Sequence, residues 1–300
     1  MRRVVSVSLG SSKRDHVIET EFLGEMFRVE RIGTDSDWDK AIALIKELDG
    51  QIDCFGMGGI DLYVYAPNGK RYTIQDAKKL VVNKKTPMVD GGGLKNTLER
   101  RCIHRIQQDG VIDLKGKKVL MVCAVDRFGM AQAFAAEGAN LTLGDLIYTL
   151  GINIPMHKLS TLNVVASIAA PIVVRLPFDK IYPNEDIKTV VNPKHAKYYY
   201  DADIIAGDFK YIAKYLPERL DGKVIITNTT TRDDVEMLAA KGVKTLITTT
   251  PDMEGRSFGT NVIEALLVSI IGKHPDQIKP EDYYEYLDRL DFKPGVVQLN

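Results

Sequence analysis

Apolar and polar residues alternate over residues 4–9 and again over 27–32, a period of two that predicts two strands. Between 38 and 48 the period changes: Trp38, Ile42, Ile45 and Leu48 recur at helical spacing, so β, β, α opens the chain. Residues 62–65 and 70–74 flank Pro67-Asn68-Gly69, where Asn-Gly can take the positive φ of a tight turn, and predict a β-hairpin. A short helix over 76–82 follows, then a strand from Pro87 ending in Gly91-Gly92-Gly93, then a helix over 94–108 leading to Gly110.

The rhythm after Gly110 is different. Residues 118–124, 139–144, 202–206, 223–227 and 244–248 read as buried strands, and 129–137, 211–220 and 232–241 as the helices between them. Alternating strand and helix imposes a parallel sheet with helices on both faces. The expected fold class is therefore α/β, an N-terminal mixed α/β domain over 1–110 followed by a Rossmann-like domain over 111–275, with a helical tail over 276–300. Residues 178–200 break the alternation and read as an excursion or lid. Residues 162–174 are the most apolar run; they fall short of the ~20 residues of a membrane span and read as a buried helix.

Composition narrows the partners. Lys plus Arg and Asp plus Glu number 40 each, so no net field draws the protein to nucleic acid or to an anionic membrane. The expected partner is a small molecule or another copy of the chain. Cys54, Cys102 and Cys123 are widely spaced and odd in number, which suits a reducing cytoplasm rather than a disulfide framework. The five histidines have no short metal-ligand spacing, and no metal is expected.

In an open parallel sheet, ligands collect beyond the carboxyl ends of the strands. After the first strand of the second half comes Val125-Asp126-Arg127-Phe128-Gly129, where a dinucleotide fold places GxGxxG and only Gly129 remains. A strand turning into a helix still offers unpaired N–H groups to a phosphate, and Arg127 adds a charge; equally, Arg127 pairs with Asp126 in a structural turn. Asp145 follows at about the 20-residue distance at which an acidic side chain meets the adenosine ribose, favouring NAD over NADP. Asn228, within Thr227-Asn228-Thr229-Thr230-Thr231, suits a polar ligand, while Thr231 suits a helix cap. Arg256, Ser257, Gly259 and Asn261 precede an apolar helix and suit either an anion pocket or a flexible turn.

The order of parts resembles the shikimate/quinate dehydrogenase family, and the chain looks like proteins labelled quinate 5-dehydrogenase. That family opens on Ser-x-Ser-Pro, whose hydroxyls hold the substrate carboxylate; Ser6-Val7-Ser8-Leu9 matches it without the proline. Its Asn-Thr-Asp-Gly stretch corresponds to Val89-Asp90-Gly91, making Asp90 the matched residue, and its Asn-x-Thr-x-Pro-x-Lys segment is echoed by Asn83, Thr86 and Pro87. The family lysine has no aligned counterpart, and Lys84, Lys85 and Lys95 lie nearby. The Gly-Ala-Gly-Gly turn is replaced by Ala124-Val125-Asp126-Arg127. The resemblance implies an NAD- or NADP-dependent oxidoreductase acting on a small hydroxylated carboxylic acid, with Ser6, Ser8 and Asn228 on the substrate. Asp90 with Lys85 or Lys95 would relay the proton, and Arg127, Gly129, Asp145, Arg256, Ser257, Gly259 and Asn261 would hold the cofactor. The alternative is a non-catalytic Rossmann-like protein that closes on a polar or phosphorylated metabolite.

Overall fold

A computed structural model describes residues 1–65, 71–178, 193–250, 252–253, 256–257 and 259–300. The chain is α/β, with two main sheets whose strands do not pair with each other among the described residues. The first sheet has the order β2-β3-β1-β4-β7, from β1 (Arg2–Ser8), β2 (His16–Phe22), β3 (Glu25–Gly33), β4 (Cys54–Gly58) and β7 (Met88–Val89). All its pairings are parallel except β2 on β3. The alternation that predicted β1 separates two cores: Val5, Val7 and Leu9 pack with Ala41, Ile45 and Leu48 of α1 (Trp38–Leu48), while Val4 packs on the other face with Ile263 and Leu267. Strands β5 (Tyr63–Tyr65) and β6 (Arg71–Thr73) pair antiparallel as the hairpin pattern requires; its Asn-Gly tip lies outside the described residues.

The helix expected over 94–108 is two helices, α2 (Gly92–Asn96) and α3 (Leu98–Gln108). They break at Thr97, whose hydroxyl donates to the Gly93 carbonyl at 2.8 Å. From there the chain builds β8 (Lys118–Met121), α4 (Phe128–Ala136), β9 (Asn140–Leu143), α5 (Leu159–Val173), α6 (Pro193–Asp201), β10 (Ile204–Gly207), α7 (Phe209–Lys214), β11 (Val224–Thr227), α8 (Arg232–Ala240) and β12 (Thr245–Thr248). Two short strands, β13 (Asp252–Met253) and β14 (Arg256–Ser257), then pair antiparallel. Residues 179–192, most of the stretch read as an excursion or lid, lie outside the described residues.

The second sheet runs β15-β12-β11-β10-β8-β9, parallel throughout except for β15 (Gly295–Gln298). Strand order therefore reverses between β8 and β10, the switch point at which open sheets leave a crevice.

Three further features depart from the sequence pattern. The helix read as buried over 162–174 covers only one side, and Val164, Ile168 and Ile172 of α5 are exposed. Helix α9 (Thr260–Ile271), expected with the second half, packs instead on β1, β4 and β7 of the first sheet. The tail read as helical contains α10 (Pro280–Arg289) and then β15, which crosses back to edge the second sheet. Among the described residues no helix is long and apolar enough to cross a membrane.

Candidate functional site

The loops after β8 and β10 meet the end of α2 at the switch point, and charged side chains from both halves converge there. Lys95 of α2 donates from Nζ to Asp61 at 2.8 Å and to Asp126 at 2.7 Å. Arg127 ion-pairs with Glu99 of α3, with Asp126 at 3.1 Å and with Asp208 at 2.9 Å. Asn228 at the end of β11 donates to Asp208 Oδ2 at 2.9 Å, while Asp208 Oδ1 caps α7 by accepting from Lys210 N at 2.9 Å. The cluster is graded in depth. Arg127 and Glu99 are buried at 2% and 0% side-chain exposure, whereas Asp61, Asp126 and Asp208 keep 21%, 23% and 19%.

Four carboxylates face two cations, so the seam is acceptor-rich and carries excess negative charge when all are ionised. The protein relieves that excess by shifting protonation. Burial raises the Asp61 carboxyl to about 6 against the pull of Lys95, with Asp126 and Asp90 adding repulsion. Burial likewise raises Glu99 to about 7 despite Arg127, and its Oε2 has no hydrogen-bond partner among the described residues. Asp126, also desolvated, is held down to about 2 by Lys95 and Arg127. Burial works against the Lys95 charge, yet Asp126 and Asp61 outweigh it and hold the ammonium protonated far above its usual range.

Three of the residues expected to bind a dinucleotide, Arg127, Gly129 and Asp145, are engaged elsewhere. Arg127 is paired with three carboxylates that offset its charge, although its Nε makes no hydrogen bond among the described residues; the pairing with Asp126 is the structural reading of that turn. A Cβ on Gly129 would lie 3.0 Å from the Lys95 carbonyl and 3.1 Å from Asn96 Cα. The glycine thus lets the first turn of α4 pack against the end of α2. Asp145 does not present itself to a ribose: it is buried and accepts from Val125 N at 2.8 Å, tying down the turn after β8. These positions do not fit a dinucleotide.

The resemblance-derived substrate residues are also internally satisfied. Ser6 Oγ accepts from Asn261 Nδ2 at 2.8 Å, a bond that docks α9 on β1. Ser8 Oγ accepts from Gly10 N and from Arg31, both at 3.1 Å. Asp90 accepts from Leu62 N at 2.7 Å, Tyr63 N at 3.2 Å and Gly92 N at 2.9 Å, so it organises a turn. Lys85 is exposed and its backbone N–H donates to Asp49 Oδ1 at 3.1 Å. Of the residues singled out, Lys95, Arg127 and Asn228 come together. Gly259 precedes α9 as its cap residue. Arg256 and Ser257 form β14, and their side chains lie outside the described residues.

Sequence reasoning passed over Asp61, Glu99 and Glu264. Glu99 was detectable, because it shares the helix face of Cys102, Ile103 and Ile106. Glu264 stands in an otherwise apolar helix and accepts from Gly91 N at 2.6 Å, Gly93 N at 3.0 Å and the Tyr283 hydroxyl at 2.6 Å. Asp61 follows a glycine-rich turn, and nothing local marks it.

A family model, Domain of unknown function (DUF8754), matches residues 93–299. The chain belongs to the DUF8754 family. Ahead of the DUF8754 region, residues 3–90 match a second model, Domain of unknown function (DUF8753). No curated protein matches this DUF8754 chain. Among solved structures it is similar to shikimate 5-dehydrogenase from Thermus thermophilus in complex with NADP(H) and shikimate. That match is 13% identical with a TM-score of 0.38, over 97% of this chain and 100% of the other. It is similar also to GanP, a glucose-galactose binding protein from Geobacillus stearothermophilus, at 10% identity and a TM-score of 0.36, covering 99% and 97%. A galactofuranose binding protein matches at 11% and 0.35, covering 97% and 99%.

Proposed function

We propose that the protein binds a small neutral or cationic polyhydroxylated metabolite at the seam between its two sheets, without redox chemistry. The observation that carries this reading is Arg127, locked by Glu99, Asp126 and Asp208 at the switch point of the second sheet. With Arg127 spent, the partly open surface consists of Asp61, Asp126, Asp208 and the Lys95 ammonium. Carboxylate oxygens accept from ligand hydroxyls or an ammonium, and Lys95 donates to a hydroxyl oxygen. The same excess of carboxylates repels a phosphate or a carboxylate, so the phosphorylated ligands that this fold class often takes are disfavoured.

A dehydrogenase has one observation in its favour: a Lys–Asp pair stands at the seam, formed by Lys95 with Asp61 rather than with Asp90. A lysine base must be neutral near working pH, and Lys95 is held protonated. Asp61, at about 6, is the better-tuned base, but hydride would need an acceptor that the residues after β8 do not accommodate.

The test is calorimetry and saturation-transfer NMR with glucosamine, glucose, glucuronate and NAD as probes. Amine and neutral sugar should bind at least about tenfold more tightly than the acid, as expected for a site with one or two uncompensated charges. Asp61→Asn should reduce that preference. Saturable NAD binding, or turnover of quinate or shikimate with NAD or NADP, would overturn the proposal in favour of the dehydrogenase.

A further inference from the structure

Helix α5 buries Leu162, Ala166 and Ala170 and presents Val164, Ile168 and Ile172 on the opposite side, exposed at 61%, 66% and 61%. The run 159–174 contains no charged residue. A surface helix ordinarily places charge on its outer face; α5 carries exposed Ser160 and Thr161 in its first turn and aliphatic side chains on that face from Val164 on. Leu150, Ile152 and Ile154 in the segment leading into α5, and Leu176 just after it, are exposed as well, at 39–57%.

We propose that this face is the interface of a homodimer, formed by α5 packing on α5 of a second copy. Seven branched aliphatic side chains exposed to this degree present roughly 600 Å² of apolar surface. Summed over the three α5 side chains and their four neighbours in the chain, that is close to the ~800 Å² per partner of a standard interface. Spacing favours self-association: Val164, Ile168 and Ile172 form a single four-residue ridge, which two copies interdigitate at a crossing angle of about −50°. All three are β-branched and stiff at χ1, so burial costs little side-chain entropy. An uncharged face can meet its own copy about a two-fold axis without opposing like charges. A membrane surface is a poorer fit, since interfacial helices carry basic residues along their polar face and α5 has none.

Sedimentation velocity on the full chain tests this. The wild type should sediment as a dimer, twice the 33.5 kDa of one chain. Ile168→Glu should weaken the dimer at least about thirtyfold, the effect of burying a charge at the centre of an interface. It should leave the circular dichroism spectrum and melting curve of the monomer unchanged, because the position is exposed. Val17→Glu, at an exposed aliphatic on β2 distant in the chain, should leave the dimer intact. A wild type that stays at one-chain mass up to about 100 μM would overturn the proposal, whether or not it co-sediments with phosphatidylglycerol vesicles. So would a dimer that survives Ile168→Glu.

Discussion

Glu264 is a buried carboxylate faced by three donors and, among the described residues, paired with no cation. The N–H groups of Gly91 and Gly93 and the hydroxyl of Tyr283 all point at it, and this hydrogen-bonding set opposes the desolvation that raises its carboxyl to about 7. Removing the side chain strands three buried donors, each worth about 1–3 kcal/mol when unpaired. Glu264→Ala should therefore destabilise the fold by about 3 kcal/mol at pH 5, measured by urea unfolding. The sign of its pH dependence follows from the raised pKa. In the wild type the Glu264 contribution is complete below about 4.5 and is lost as pH rises through about 7, so the deficit of the alanine variant should shrink at pH 8. A deficit that grows with pH would mean the carboxylate is favoured in its charged form. Residues of this kind were only half legible in the sequence. A lone glutamate among Val262, Ile263, Ala265 and Leu266 marks itself as special, but two of its three partners lie some 170 residues away in the glycine run that follows β7.

At the scale of elements, strand β1 and helix α1 were legible because their periodicity is strong and local, and each meets a core that requires it. The single helix expected over 94–108 was not. Its break depends on the Thr97 hydroxyl returning to Gly93 and on α4 arriving from the following unit, neither of which single-residue propensity encodes. Likewise the four-residue β15 is too short to show a period, and only its pairing with β12 defines it. The spacing that placed Asp145 at a ribose was a true regularity of chain length, yet spacing does not say what the carboxylate meets. Here the Val125 N–H takes it first. The contact between α2 and α4 gives the test at this scale. A methyl group at residue 129 would press on the Lys95 carbonyl at 3.0 Å, and the backbone must yield by a few tenths of an ångström. Gly129→Ala should cost about 1–2 kcal/mol by overpacking, despite alanine's better helix propensity. It should also weaken any ligand held by Lys95, since α2 carries that side chain. A variant as stable as the wild type or more so would show that the two helices do not press together.

For the whole molecule, the 40 acidic and 40 basic residues balance, so stability against pH is set by groups whose protonation folding shifts rather than by net charge. Burial raises four carboxyls: Asp61 and Asp145 to about 6, Glu99 and Glu264 to about 7. For each, the folded state binds its proton more tightly than the unfolded chain, so its contribution is whole below about 4 and drains away as pH climbs towards 6–7. Asp49 and Asp126, lowered to about 2, act in the opposite direction: their stabilisation is present above about 4 and is lost only in acid. The two sets together put the stability maximum near pH 5 and a decline between about 5 and 8, where balanced charge alone would give a plateau. Asp145 isolates one part of that slope, since it is buried, accepts from Val125 N through Oδ1 and leaves Oδ2 without a hydrogen-bond partner. Asp145→Asn keeps the acceptor and removes the titration. It should match the wild type near pH 4 and exceed it by on the order of 3 kcal/mol at pH 8, the worth of roughly two pKa units. Urea unfolding at both pH values reads the difference directly. A wild type whose stability is flat or rising from pH 5 to 8 would mean that these carboxyls are solvated, and the charge balance drawn for the seam would fall with them. If the slope holds, a cationic ligand should bind more tightly as pH rises through 6–7, because ionisation of Asp61 and Glu99 supplies the negative charge that its ammonium offsets.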